Sequence, residues 1–207
     1  MVETALNSLR YRPNNTNPEE NKGGYIVYDG GATDYHQWVF RCEIKMEAAD
    51  EKDKKKTMAQ IIESLRGNAT DVARDMDRSK LLDPEGKGLP LLIDSMSKAI
   101  FPLRAEEAKA LYREGHKIGG MLSRQHLESM VSYVARRERW WKLLKLLDPS
   151  IGLGDELLGD QLLDNSGLTE WQRLLIMTSL SNVKTFTGIA EALKLQHSKI
   201  HLRDWEV

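Results

Sequence analysis

The sequence predicts an all-α protein: two small helical lobes after a flexible N-terminal arm. Three observations predict it. Apolar residues recur at helical spacing through nearly all of the 207-residue chain beyond position 33. β-prone residues gather only at Tyr25-Ile26-Val27-Tyr28. The apolar pattern closes at Phe101-Pro102 and restarts at Leu103, dividing the chain into lobes at 25–102 and 103–207. The length agrees, since domains run to ~100–200 residues.

Residues 1–24 hold Pro13, Pro18, an Asn-rich patch (Asn14, Asn15, Asn17, Asn21) and Gly23-Gly24, with few large apolar groups. Such a stretch buries too little to offset its ordering entropy, so it is expected to be a flexible arm. Tyr25 to Tyr28 reads as one strand or an extended lead-in, stopped by Asp29-Gly30-Gly31. Thr33 can cap a first helix whose stripe is Tyr35, Trp38, Val39, Cys42 and Met46, which places Trp38 as the buried anchor of the first lobe. Further helices are expected over residues 51–65, 69–78 and 90–100, with a turn-rich loop at Asp83 to Gly88. The second lobe should hold helices over residues 104–114, 126–147, 155–165, 169–180 and 185–198. Thr169 with Gln172 fits a capping box.

Thirty Lys+Arg against 31 Asp+Glu leave a net charge of −1, so no global field draws the chain to nucleic acid or anionic membrane. No apolar run approaches the ~18 residues of a membrane span, and the first residues lack a signal-peptide core. The chain therefore reads as soluble and cytoplasmic. Cys42 is the only cysteine, which excludes an internal disulfide and a multi-cysteine zinc site within this sequence. No phosphate-loop, dinucleotide-binding or nucleophile-elbow pattern occurs. His197 and His201 share a helical face at metal-ligand spacing, but a metal needs further ligands and no Glu lies between them in the H-E-x-x-H manner, so they read as polar residues of the last helix. Paired acids such as Asp155-Glu156 lie in first helical turns, where they favour the helix dipole. No catalytic residue, metal or cofactor is expected.

The long helix at 126–147 contains Arg136-Arg137-Glu138-Arg139-Trp140-Trp141. Arginine beside indole is one route to single-stranded RNA, but successive helical residues point about 100° apart and cannot share one face. At that spacing Leu127, Met130, Val131, Val134 and Trp141 form the core arc. Trp140 falls on its flank with Tyr133, Leu144 and Leu147. The flank is either covered by a following helix or used in a contact between lobes or subunits.

Several motifs then combine. Tyr28-Asp29-Gly30 precedes Asp34-Tyr35-His36-Gln37-Trp38, and Leu65-Arg66-Gly67-Asn68-Ala69 joins two helices. Gln125-His126-Leu127-Glu128-Ser129-Met130, with Tyr133, opens the long helix that runs through Arg136-Arg137 to Leu143-Leu144. Asp164 to Thr169 leads into the last Leu-rich helices. In this order, over about residues 25–204, the chain resembles the capsid region of a Gag polyprotein, as encoded by LTR retrotransposons and their domesticated relatives. Here Gln125 stands three residues before Glu128, where related motifs often have four with an intervening Gly. The resemblance implies a structural protein without an active site that self-assembles into a shell around the element's RNA. The N-terminal lobe would form rings through its early helices, and the C-terminal lobe would join rings by a symmetric dimer contact. The implied partner is the chain itself. RNA contact through this segment would be indirect or weak, because specific binding usually belongs to a downstream zinc knuckle or basic tail. Two other readings compete: a helical adaptor that binds partner peptides without forming a shell, and a small all-α enzyme with a site assembled from distant residues.

Overall fold

A computed structural model of the chain describes residues 4–12, 18–181 and 184–204. Among them are twelve α-helices and no strand. The chain divides into two compact units with main bodies Asn15–Arg104 and Ala105–Val207; of the described residues before them, 4–8 go with the first and 9–12 with the second.

The first unit contains α1 (Thr4–Ser8), α2 (Tyr35–Glu47), α3 (Lys54–Glu63), α4 (Gly67–Arg74), α5 (Arg78–Leu81) and α6 (Gly88–Ile100). The region before residue 25, expected to be a flexible arm, carries structure where it is described. Ala5 and Leu9, one helical turn apart, are both buried around α1. Residues 19–27 fold back on themselves: Val27 N–H donates to Glu19 O and Asn21 N–H to Tyr25 O, both at 2.8 Å. The Asn21 side chain accepts from the N–H groups of Gly23 and Tyr25 at 2.9 and 3.1 Å. An asparagine counted toward disorder is thus a turn former. The rest of the Asn-rich patch, at 13–17, lies outside the described residues.

Tyr25 to Tyr28 is an extended lead-in making isolated bridges, Ile26 with Glu20 and Tyr28 with Leu65. The second bridge joins two motifs that are remote in sequence. Tyr28 O accepts the Arg66 N–H at 2.8 Å, and Asp29 O accepts the Ala69 N–H at 3.3 Å. Gly30, at φ 96°, lies so close to this junction that a Cβ would sit 3.1 Å from Ala69 N. The Tyr-Asp-Gly and Leu-Arg-Gly-Asn-Ala motifs are two halves of one joint. Trp38 is fully buried above it, stacked on Tyr28 with ring centroids 4.6 Å apart. Tyr35 meets Phe101 edge to face at 5.6 Å, so the last residue of the unit's apolar pattern closes onto α2.

The second unit contains α7 (Arg104–His116), α8 (Met130–Leu147), α9 (Asp155–Asp164), α10 (Glu170–Ser179), α11 (Phe186–Gln196) and α12 (Ile200–Arg203). Met130, Tyr133, Leu162, Ile176, Ile189 and Leu193 form the centre of its core. The Thr169–Gln172 capping box is present, and Thr185 caps α11. The long helix begins four residues later than expected: Leu127 takes φ 63°, and the Ser129 side chain accepts the Ser132 N–H as N-cap.

The buried face of α8 also differs from the expected arc. It comprises Met130, Tyr133, Val134, Arg136, Arg137, Trp140, Leu143, Leu144 and Leu147. Val131 is exposed and Trp141 only half-buried. Trp140, expected on the flank, is a core residue, and Trp141, expected in the core, takes the flank. The cause is the pair Arg136-Arg137, each 1% exposed. Counting both as surface residues displaces the apparent centre of the apolar arc away from them.

Candidate functional site

The residues singled out at the head of α8 converge on a buried ion pair. Arg136 Nε donates to Glu128 Oε1 at 2.8 Å and its Nη2 to Oε2 at 2.7 Å. Glu128 is 0% exposed. The same guanidinium donates to Met121 O at 2.6 Å and Ser123 O at 2.7 Å, so it ties the 117–129 loop to the helix. Gln125 completes the frame despite its altered spacing. Its N–H donates to Glu128 Oε2 at 2.8 Å, and its Nε2 donates to Ser123 O at 2.7 Å. Two desolvated charges held in this bidentate, multiply hydrogen-bonded way specify one loop conformation.

The other candidates surround this pair without contributing to one cleft. Tyr133 donates its OH to Leu162 O at 2.7 Å, joining α8 to α9, and burial pushes its phenol well above the usual range. Leu144 and Leu147 are core residues further down α8. Trp140 donates Nε1–H to Leu111 O at 2.9 Å, and the Arg137 guanidinium lies 4.5 Å from its ring centroid. Arg137 donates to Gly115 O and Gln161 Oε1, both at 3.1 Å. Among the described residues its acceptors are these two neutral groups, and burial lowers its pKa. Gly115 is where α7 reaches α8: a Cβ there would lie 2.0 Å from Trp140 Cζ2. Gly115→Ala is therefore expected to cost about 1–3 kcal/mol through overpacking, read as a lower midpoint in chemical denaturation with the helical signal retained.

Sequence reasoning did not find Arg124 and Asp204. Arg124 holds Asp204 through two hydrogen bonds of 2.8 and 3.1 Å and donates to Glu128 O at 2.9 Å. Asp204 Oδ2 also accepts the Leu127 N–H at 2.9 Å, which holds the positive-φ turn. The Arg124 hydrogen bond keeps the Asp204 carboxyl below its ordinary pKa. The partners are 80 residues apart, so no local pattern announces them.

Cys42 lies buried in the first unit, its thiol pushed up to about 12 by burial and so protonated at neutral pH. His197 ends α11 and His201 lies in α12; burial lowers the pKa of His197. Among the described residues no three His, Cys, Asp or Glu side chains gather as metal ligands would. No helix among them is long and apolar enough to cross a membrane.

Apolar surface, by contrast, is concentrated. On α10 only Ile176 is buried, while Trp171, Leu174 and Leu175 are 66%, 53% and 46% exposed. These three share one face at i, i+3 and i+4. On α2 the outward positions Phe40 and Ile44 are 59% and 47% exposed. Among the described residues each unit thus presents an exposed apolar helical face of its own. Comparison with protein-family models, curated proteins and solved structures finds no match to this chain.

Proposed function

We propose that the chain is a structural, capsid-like protein of the Gag type that self-assembles into a shell around retroelement RNA in the cytoplasm. The observation that carries this reading is the α10 face. Three large apolar side chains in a row on a helix that buries one residue are costly to leave in water, and they suit an interface centre. A second such face on α2 supplies what a closed lattice needs, namely independent contacts on separate units. The motif order adds to this: the Gln125–Glu128–Arg136 frame stabilises the unit that bears α10. The partner is the chain itself, through both units. A net charge of −1 agrees with RNA contact that is indirect or weak through this segment.

The α10 contact is tested by Trp171→Asp. With the side chain 66% exposed, the thermal midpoint should stay within a degree or two of the parent. Self-association measured by sedimentation velocity should weaken by roughly thirtyfold or more, the scale of an interface hot spot. An unchanged sedimentation distribution would remove α10 as an assembly face.

A further inference from the structure

We infer that α2 of one chain docks into a groove on the first unit of a second copy, a head-to-tail contact between two different surfaces of the same unit. The groove lies between α3, α4 and α5, with a volume of about 500 Å³. Its apolar floor is Ile62, Ala73, Leu81 and Leu82, and Arg74, Arg78 and Glu63 stand at its rim. No residue of α2 lines it, so groove and helix face are separate features of one unit.

The α2 face matches the groove in both shape and charge. Phe40, Glu43, Ile44 and Glu47 are all exposed and recur at i, i+3, i+4 and i+7, which sets them in one stripe. Phe40 and Ile44 make an apolar ridge one turn long, the size of object the groove floor can accept. Glu43 and Glu47 flank that ridge and would reach the rim arginines. Among the described residues Arg74 pairs with Asp71, both more than 60% exposed, and such a pair is cheaply exchanged for another carboxylate. Arg78 stands exposed on the same rim. The two α2 cations lie outside the stripe, Arg41 held by Glu20 at 3.1 Å and Lys45 over the Tyr25 ring, which leaves the stripe net acidic. Contacts between unlike surfaces generate rings when their rotation closes, so this pairing gives the first unit a specific route to a ring. It rests on the self-assembly reading and names the partner surface for α2.

Charge reversal in the full-length chain tests the contact. Glu43→Lys with Glu47→Lys, and separately Arg74→Glu with Arg78→Glu, should each weaken association roughly tenfold or more at low salt. Thermal melts of both should match the parent. An equimolar mixture of the two proteins should regain parental association, because each variant's helix then fits the other's groove and neither fits its own. Phe40→Asp should weaken association with no rescue by mixing. Loss with the helix variant while the groove variant behaves as the parent would indicate a symmetric α2–α2 contact and overturn the inference. Parental association in both charge variants, with loss in Trp171→Asp, would also overturn it while leaving the assembly reading intact. A parent chain that stays monomeric at every concentration would overturn both.

Discussion

Glu128→Ala should destabilise the second unit by about 3–5 kcal/mol, a large share of the ~5–15 kcal/mol that holds a typical domain together. The size follows from what remains. Arg136 stays 1% exposed with its charge intact, and only the carbonyls of Met121 and Ser123 are left to it. A buried cation without its carboxylate costs far more than the net worth of the pair. Removing both partners together, Glu128→Ala with Arg136→Met, should cost clearly less than the two single changes added, since neither charge is then orphaned. Urea denaturation followed by circular dichroism measures the cycle. A single-mutant loss under about 1 kcal/mol would mean that the pair is solvated and not buried.

Trp140→Ala should cost about 3–5 kcal/mol, whereas Trp141→Ala should cost under about 1.5 kcal/mol. Trp140 is 1% exposed, fills the space above Gly115, donates to Leu111 O and carries Arg137 on its face. Its removal opens a cavity and leaves the Arg137 charge without its ring. Trp141 is half-buried, with Lys145 Nζ 5.8 Å from its ring centroid, and can be truncated with little rearrangement. Comparable losses in the two variants would show that α8 buries the face centred on Trp141 instead.

These contrasts also separate what is legible in the amino-acid pattern from what tertiary packing alone decides. Helical periodicity predicts the all-α class because nothing in the chain competes with it, and the break near Pro102 lies two residues from the division at Arg104–Ala105. Local chemistry is equally legible: Thr169 and Gln172 cap α10 as their spacing predicts. The Tyr28-Asp29-Gly30 and Leu65 to Ala69 motifs can be seen separately, but their pairing comes from tertiary contact that spacing does not encode. The buried face of α8 is misplaced because a hydrophobic pattern counts arginine as surface, and here two arginines are buried by a carboxylate, a glutamine and a run of carbonyls. Arg124 and Asp204 are missed for the related reason that an ion pair across the unit has no sequence period. Trp171 lies in a Leu-rich helix whose apolar residues look like core from every side; only the packing of the unit tells which of them nothing covers.

Self-assembly of this chain through its own exposed helical faces is read most plainly from its mass distribution against concentration. The purified parent protein would be measured by sedimentation velocity from micromolar to hundreds of micromolar, with negative-stain microscopy of the top fraction. Self-assembly gives a reversible shift from monomer through small oligomers to closed or ring-bearing particles as concentration rises. A single monomeric species across the whole range, with featureless grids, would contradict it.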